Sequence, residues 1–173
     1  MKLSEIETEN DGQFNTVTGD WDFGETIVQR SDEAVDYVAG TGIAAETFTV
    51  SVTIDLSDAP EDAGAGLIFH MSERENIANG QMIRFGDGGE EIFWGVYDAD
   101  GVFEGAGGVP LDDIDWTEPH ELTLNVGADT YDVLIDGAVL LSDLPVEGTF
   151  GYLGLLSYRG TVTFSDFELS IGQ

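Results

Sequence analysis

The sequence predicts an all-β chain folded as a two-sheet antiparallel β-sandwich. Three observations lead there. Apolar residues alternate with small or polar ones at period 2 through most hydrophobic segments, whereas a helical period holds over almost no window longer than two turns. Asp-Gly pairs at Asp87-Gly88, Asp100-Gly101 and Asp136-Gly137 punctuate those segments. Such pairs suit tight hairpins, because the turn needs positive φ and Gly takes it without steric cost. The number and spacing of the segments then point to two packed sheets rather than one.

Taken in order, residues 1–12 are expected to form a tail or an edge segment, and residues 13–173 a single domain. The clearest strands are Thr47 to Leu56, Ala65 to Met71, Gln81 to Phe85, Glu91 to Tyr97, Glu121 to Val126, Tyr131 to Ile135, Phe150 to Ser157 and Thr161 to Leu169. Each mixes β-branched or aromatic residues with small or polar ones. Ala65 through Glu104 reads as four successive antiparallel strands, and Glu121 to Leu141 as three more. Asp58 to Ala63 and Gly105 to Glu118 lack periodicity and are expected as surface connections. Asn76 to Gly80 offers at most one turn of helix. No period of the solenoid or propeller kind repeats.

Composition bounds what such a domain does. The 173 residues are 42% hydrophobic, enough for a core, and contain no cysteine, so neither a disulfide framework nor a thiolate site exists. No apolar run approaches the ~18 residues that cross a bilayer, and the opening MKLSEIETENDG is acidic and polar where a signal peptide would be basic and then apolar. Thirty-five Asp and Glu face five Lys and Arg, a formal net charge of −30. Nucleic acid and anionic membrane are thereby poor partners, since no basic stripe replaces condensed counterions or meets head groups. Self-repulsion on this scale calls for screening, by a salty medium or by divalent ions.

A resemblance enters with a particular succession of residues. Gly19-Asp20-Trp21 is followed by TFTVSVTID at 47–55, AGLIFH at 65–70, PHELTL at 119–124, YDVLIDG at 131–137, GYLGL at 151–155 and VTFSDF at 162–167. In that order they resemble the concanavalin A-like lectin and glucanase jelly roll, within it the sugar-binding modules of levanase-type enzymes, and laminin-G-like domains. The resemblance implies carbohydrate binding on the concave sheet or its rim loops, one structural calcium, and an extracellular or cell-surface setting, although the chain begins without a signal peptide.

The residues themselves argue against catalysis. Glucanases of this fold carry acids two apart on a cleft strand so that both face one bond, but QMIRF has none and EIFWGVY has only Glu91. No G-x-S-x-G or H-E-x-x-H motif occurs, and the two histidines are His70 and His120. For ligand binding, alternation places Leu67, Phe69 and Met71 on one face and His70 on the other. The same rule sets Arg84 opposite Ile83 and Phe85, and Trp94 could stack on a sugar ring. His70, Arg84 and Trp94 on adjacent strands, with Glu73 on the rim, therefore form the candidate saccharide patch. The plain alternative keeps Trp94 in the core and pairs Arg84 with a carboxylate. Trp116 reads equally as an edge cover or an exposed contact. Asp98 and Asp100 begin like a calcium loop that lacks its closing Glu, and Asp166 is a further candidate ligand. The expectation is a non-catalytic, lectin-like module. Its alternative is a structural or assembly protein of a surface, filament or phage-like particle, which self-associates or binds protein instead of sugar.

Overall fold

A computed structural model describes residues 14–172, and the expected segment 1–12 lies outside them. Two antiparallel sheets of seven strands each face one another. With strands numbered in chain order, the first sheet runs β1 (Asn15–Thr16), β4 (Asp36–Ala45), β13 (Gly151–Tyr158), β6 (Gly64–Met71), β7 (Gln81–Gly86), β8 (Glu91–Tyr97), β9 (Phe103–Pro110). The second runs β12 (Ala138–Pro145), β11 (Thr130–Ile135), β10 (His120–Val126), β5 (Phe48–Asp55), β14 (Val162–Ile171), β3 (Ile27–Gln29), β2 (Trp21–Phe23). The only helical turn among the described residues is a 3-10 turn at Asp87–Gly89, between β7 and β8. The segment 76–80 is a turn without helix.

Alternation builds the layer between the sheets. On β5, Phe48, Val50, Val52 and Ile54 are buried; they lie beside Leu122, Leu124 and Val126 of β10 and oppose Leu67, Phe69, Ile83, Phe85 and Leu155 of the first sheet. Each such side chain contributes about 1.5–3 kcal/mol on leaving water, which makes this layer the main source of stability in a chain without disulfides. The Asp136-Gly137 pair turns β11 into β12, both residues at positive φ (50° and 78°), as a two-residue hairpin requires.

Two strands depart from the expectation. Residues 105–110, expected as a surface connection, instead continue β9 along β8. The glycines that hid this strand are there because β8 carries large rings next to them: a Cβ on Gly107 would lie 2.4 Å from Trp94 Cζ2, and one on Gly108 3.2 Å from Phe93 Cβ. β4 was likewise not expected. It is buried along most of its length on both faces, so its sequence DYVAGTGIAA shows small residues without alternation.

The third departure concerns phase. Between β13 and β6 the register slips, Tyr152 pairing with Met71 and Gly154 with Ile68, so two residues of β6 oppose Leu153. The slip is a bulge at His70, whose φ is 57°. Beyond a bulge every side chain changes face. Met71 accordingly joins Ile68 in an outer apolar cluster, and not Leu67 and Phe69 in the main core as alternation predicted.

Candidate functional site

Directly paired residues of antiparallel strands share a face. Across the first sheet, Val38, Leu156, Gly66, Arg84, Phe93 and Gly108 form one continuous row on the outer side. Arg84 thus stands near the middle of a sheet face, and the residue is only 9% exposed. Its guanidinium carbon lies 4.6 Å from the centroid of the Phe93 ring and 4.4 Å from that of Tyr158. Sandwiching between two ring faces stabilises a desolvated cation by about 0.5–2 kcal/mol per ring. Glycines make the space: a Cβ on Gly64 would come 2.7 Å from Arg84 Nη1, and one on Gly66 2.6 Å from Arg84 Cα.

Asp36, at the start of β4, is the counter-charge. Its Oδ1 is 3.6 Å from Arg84 Nε, and its Oδ2 accepts a 2.6 Å hydrogen bond from the Tyr97 hydroxyl. The Tyr97 hydroxyl is pushed far above the usual phenol range, first by burial and then by the Asp36 charge and hydrogen bond. Burial lowers the Arg84 pKa, against the opposing pull of Asp36, Tyr97, Tyr158 and Glu91. Arg84 Nε and Nη1 and Asp36 Oδ1 have no hydrogen-bond partner. These three atoms are closed off from solvent, and native proteins rarely leave such groups orphaned. Beside it Val38, Ile68, Met71, Met82, Tyr97 and Leu156 are buried under Ile77, Phe103 and Tyr152.

The expected patch does not assemble as drawn. Trp94 pairs with Ile83 and faces inward, where it packs against the main core. His70 also leaves the outer face, because the bulge turns it toward the end of the core. It is 3% exposed, edge-on to Phe69 and Phe48, and its Nε2 donates to the Glu46 carbonyl at 3.1 Å. Burial holds its pKa below the usual imidazole value, against the weaker opposing effects of the Glu46 carbonyl and charge. Glu73 is exposed in the turn after β6, bridged to Asn76. Of the candidate ligand residues, only Arg84 sits in the outer-face cluster. Its neighbours Asp36, Phe93, Tyr97 and Tyr158 were missed. Tyr158, two residues after Leu156 in a strand, was available to the alternation rule, whereas Asp36 begins the unread β4.

The acidic candidates for a cation do not fit one. Asp98 Oδ1 accepts from the backbone N–H of Asp100 at 2.8 Å and of Val102 at 2.9 Å, capping its own hairpin. Asp100 is exposed in that turn. Asp166 lies in a bulge of β14 in the other sheet, at φ 49°, and accepts from Ser165 Oγ at 3.2 Å. Among the described residues no three His, Asp or Glu side chains converge as a metal site.

Comparison with known proteins places the fold. No protein-family model and no curated protein matches the sequence. Solved structures do match. The carbohydrate-binding module CBM66 from Bacillus subtilis superposes with a TM-score of 0.78 at 19% identity, over 91% of this chain and 94% of that one. The carbohydrate recognition domain of Emp46p, in a potassium-bound form, gives 0.71 at 12% identity over 99% and 97%. A Parabacteroides distasonis protein provisionally named a glycosyl hydrolase gives 0.62 at 14% over 91% and 85%. At these identities the likeness concerns architecture: the chain shares the two-sheet antiparallel jelly-roll sandwich of these structures.

Proposed function

We propose that the chain is a non-catalytic carbohydrate-binding module whose site is the outer-face patch around Arg84. One observation carries this reading: a guanidinium that is still 11% exposed is held between two aromatic rings and beside a carboxylate on a sheet face floored by glycine. Sugars present adjacent hydroxyls that accept from a guanidinium and donate to a carboxylate, with C–H surfaces that pack on aromatic ring faces. The neighbours named for carbohydrate binding and recognition support the same class. Catalysis is disfavoured because Asp36 Oδ2 is taken up by the Tyr97 hydroxyl, and no second acid alternates with it on β4.

The −30 charge suits a salt-rich medium, where screening lets such a surface stay compact, and a surface or extracellular setting for a glycan binder. One small patch gives modest affinity, so adhesion through it depends on several copies or on a larger assembly. The test is retention on an array of neutral glycans by the wild type and by Arg84→Met, which keeps the aliphatic stem and deletes the donors. A loss of about tenfold or more is expected. Undiminished retention by Arg84→Met would move the site elsewhere. Sugar-independent oligomers in sedimentation, with no array signal, would favour the assembly reading.

A further inference from the structure

We propose that the binding groove continues past Arg84, over Glu91, into a second subsite walled by Trp116, so that the site takes a neutral glycan chain of at least two units. This rests on the sugar-binding reading of the Arg84 patch and extends it. Glu91 and Phe93 lie two apart on β8 and share the outer face, about 7 Å from each other. Between them and β7 the ground is bare: Gly86 pairs with Glu91, and a Cβ there would sit 2.8 Å from Phe93 Cε1 and 3.3 Å from Glu91 Oε1. Nothing therefore separates the ring that stacks on Arg84 from the Glu91 carboxylate.

Glu91 also lines a half-open cavity of about 530 Å³, together with Pro110, Asp112, Ile114 and Trp116. That volume lies in the range of small-molecule sites. Glu91 and Pro110 are cross-strand partners on the outer face, and the Glu91 charge is near enough to act on Arg84, whereas Ile114 and Trp116 reach the cavity from the main core. Trp116 is fixed before any ligand arrives. Its indole lies 4.3 Å from the Phe85 ring and 4.9 Å from the His120 ring, centroid to centroid. It also lies flat on Gly89, where any Cβ would come within 2.2 Å of the indole. Its Nε1 is buried without a hydrogen-bond partner, so the wall it gives the cavity is the apolar part of the ring.

Charge narrows the ligand. The cavity walls include the acids Glu90, Glu91 and Asp112 and no basic residue, so hydroxyl donors are welcome while uronic or sulfated units meet repulsion. The subsite thus selects a neutral chain, with one unit at Arg84 and the next against Glu91 and Trp116.

The test uses the whole chain on an array carrying gluco-, manno-, xylo- and fructo-oligosaccharides of one to four units, with oligogalacturonates as the anionic series. The wild type is expected to bind some neutral series about tenfold more tightly at two units than at one, and to ignore galacturonates. Trp116→Ala and the isosteric Glu91→Gln should each erase most of that chain-length gain and leave the monosaccharide signal, whereas Arg84→Met erases both. If Trp116→Ala does not fold, Glu91→Gln alone decides. Equal binding of one and of more units, an unchanged gain in Glu91→Gln, or capture of galacturonates would overturn the second subsite while leaving the Arg84 reading in place. No binding of any series would overturn both.

Discussion

His120 offers a test of whether the connection that carries Trp116 is held by charge. Its Nδ1 lies 2.6 Å from Asp136 Oδ2, and its Nε2 lies 2.8 Å from the Asp115 carbonyl oxygen. A carbonyl only accepts, so Nε2 bears a proton; a second proton on Nδ1 then turns the contact with the carboxylate from repulsion into an ion pair. Partial burial of the ring opposes the charge, but the Asp115 and Asp136 hydrogen bonds prevail and hold the His120 pKa above the usual imidazole value. Asp136 responds in kind: its carboxyl is lowered, against the effect of burial, by the bonds from His120 and from the Glu121 N–H.

The sign follows from the folded pKa lying above the unfolded one. The stabilisation is complete below about pH 6.5, the unfolded value, and fades as pH rises through the folded value. A hydrogen bond to a charged group contributes about 1.5–3 kcal/mol. The Asp136 side chain is 53% exposed, so solvent screening reduces this to about 1 kcal/mol, or roughly 2–4 °C in Tm for a domain of this size. The charges acting on the ring are Asp136 from the β11–β12 turn and Asp115 from the connection. The assay is thermal melting of the wild type and His120→Gln at pH 5.5 and 8.5. The wild-type advantage should be largest at pH 5.5 and shrink at pH 8.5. His70 and the general charge repulsion are common to both proteins and cancel in this double difference. An advantage equal at both pH values, or larger at pH 8.5, would refute a charged His120.

Three further outcomes are expected. Gly66→Ala would place a Cβ 2.0 Å from the Ile83 carbonyl oxygen, whereas Gly105→Ala meets nothing nearer than 3.7 Å. Urea denaturation should show a loss of about 1–3 kcal/mol or more for the first and little change for the second. Asp36→Asn removes the counter-charge of Arg84, whose side chain is 11% exposed. Stranding a cation in this way costs about 3–5 kcal/mol in a fully buried pair, so about 3 kcal/mol is expected here. Adding Tyr97→Phe to Asp36→Asn should cost less than the sum of the two single changes, since the pair shares one hydrogen bond. Melting across NaCl should show a smooth rise as the −30 charge is screened. At fixed ionic strength CaCl2 should add nothing specific, because Asp98 is already engaged with its own turn; a step at low-millimolar calcium would contradict this.

Why the sandwich was legible while its site was not comes down to which residues obey a local rule. Strands with one wet face, such as β5 and β10, write the fold into alternation, and Asp136-Gly137 writes its turn into two residues. β4 is covered on both faces along most of its length, so alternation is silent there, and β4 carries Asp36. In β6 a single residue at positive φ reverses the phase, and a period-2 reading continued through His70 assigns it to the wrong side. The Arg84 site is affected by both. Arg84 itself follows the rule, because β7 pairs without a slip, but its carboxylate comes from a strand that does not show itself. Gly107 and Gly108, expected in a surface connection, are where β8 lays its aromatic rings across β9. In this chain glycine therefore marks crowding more than flexibility. The same condition makes a guanidinium's burial tolerable: Gly64 and Gly66 leave the room in which Arg84 lies between two rings, so enlarging either glycine should disturb the site through the sheet that supports it.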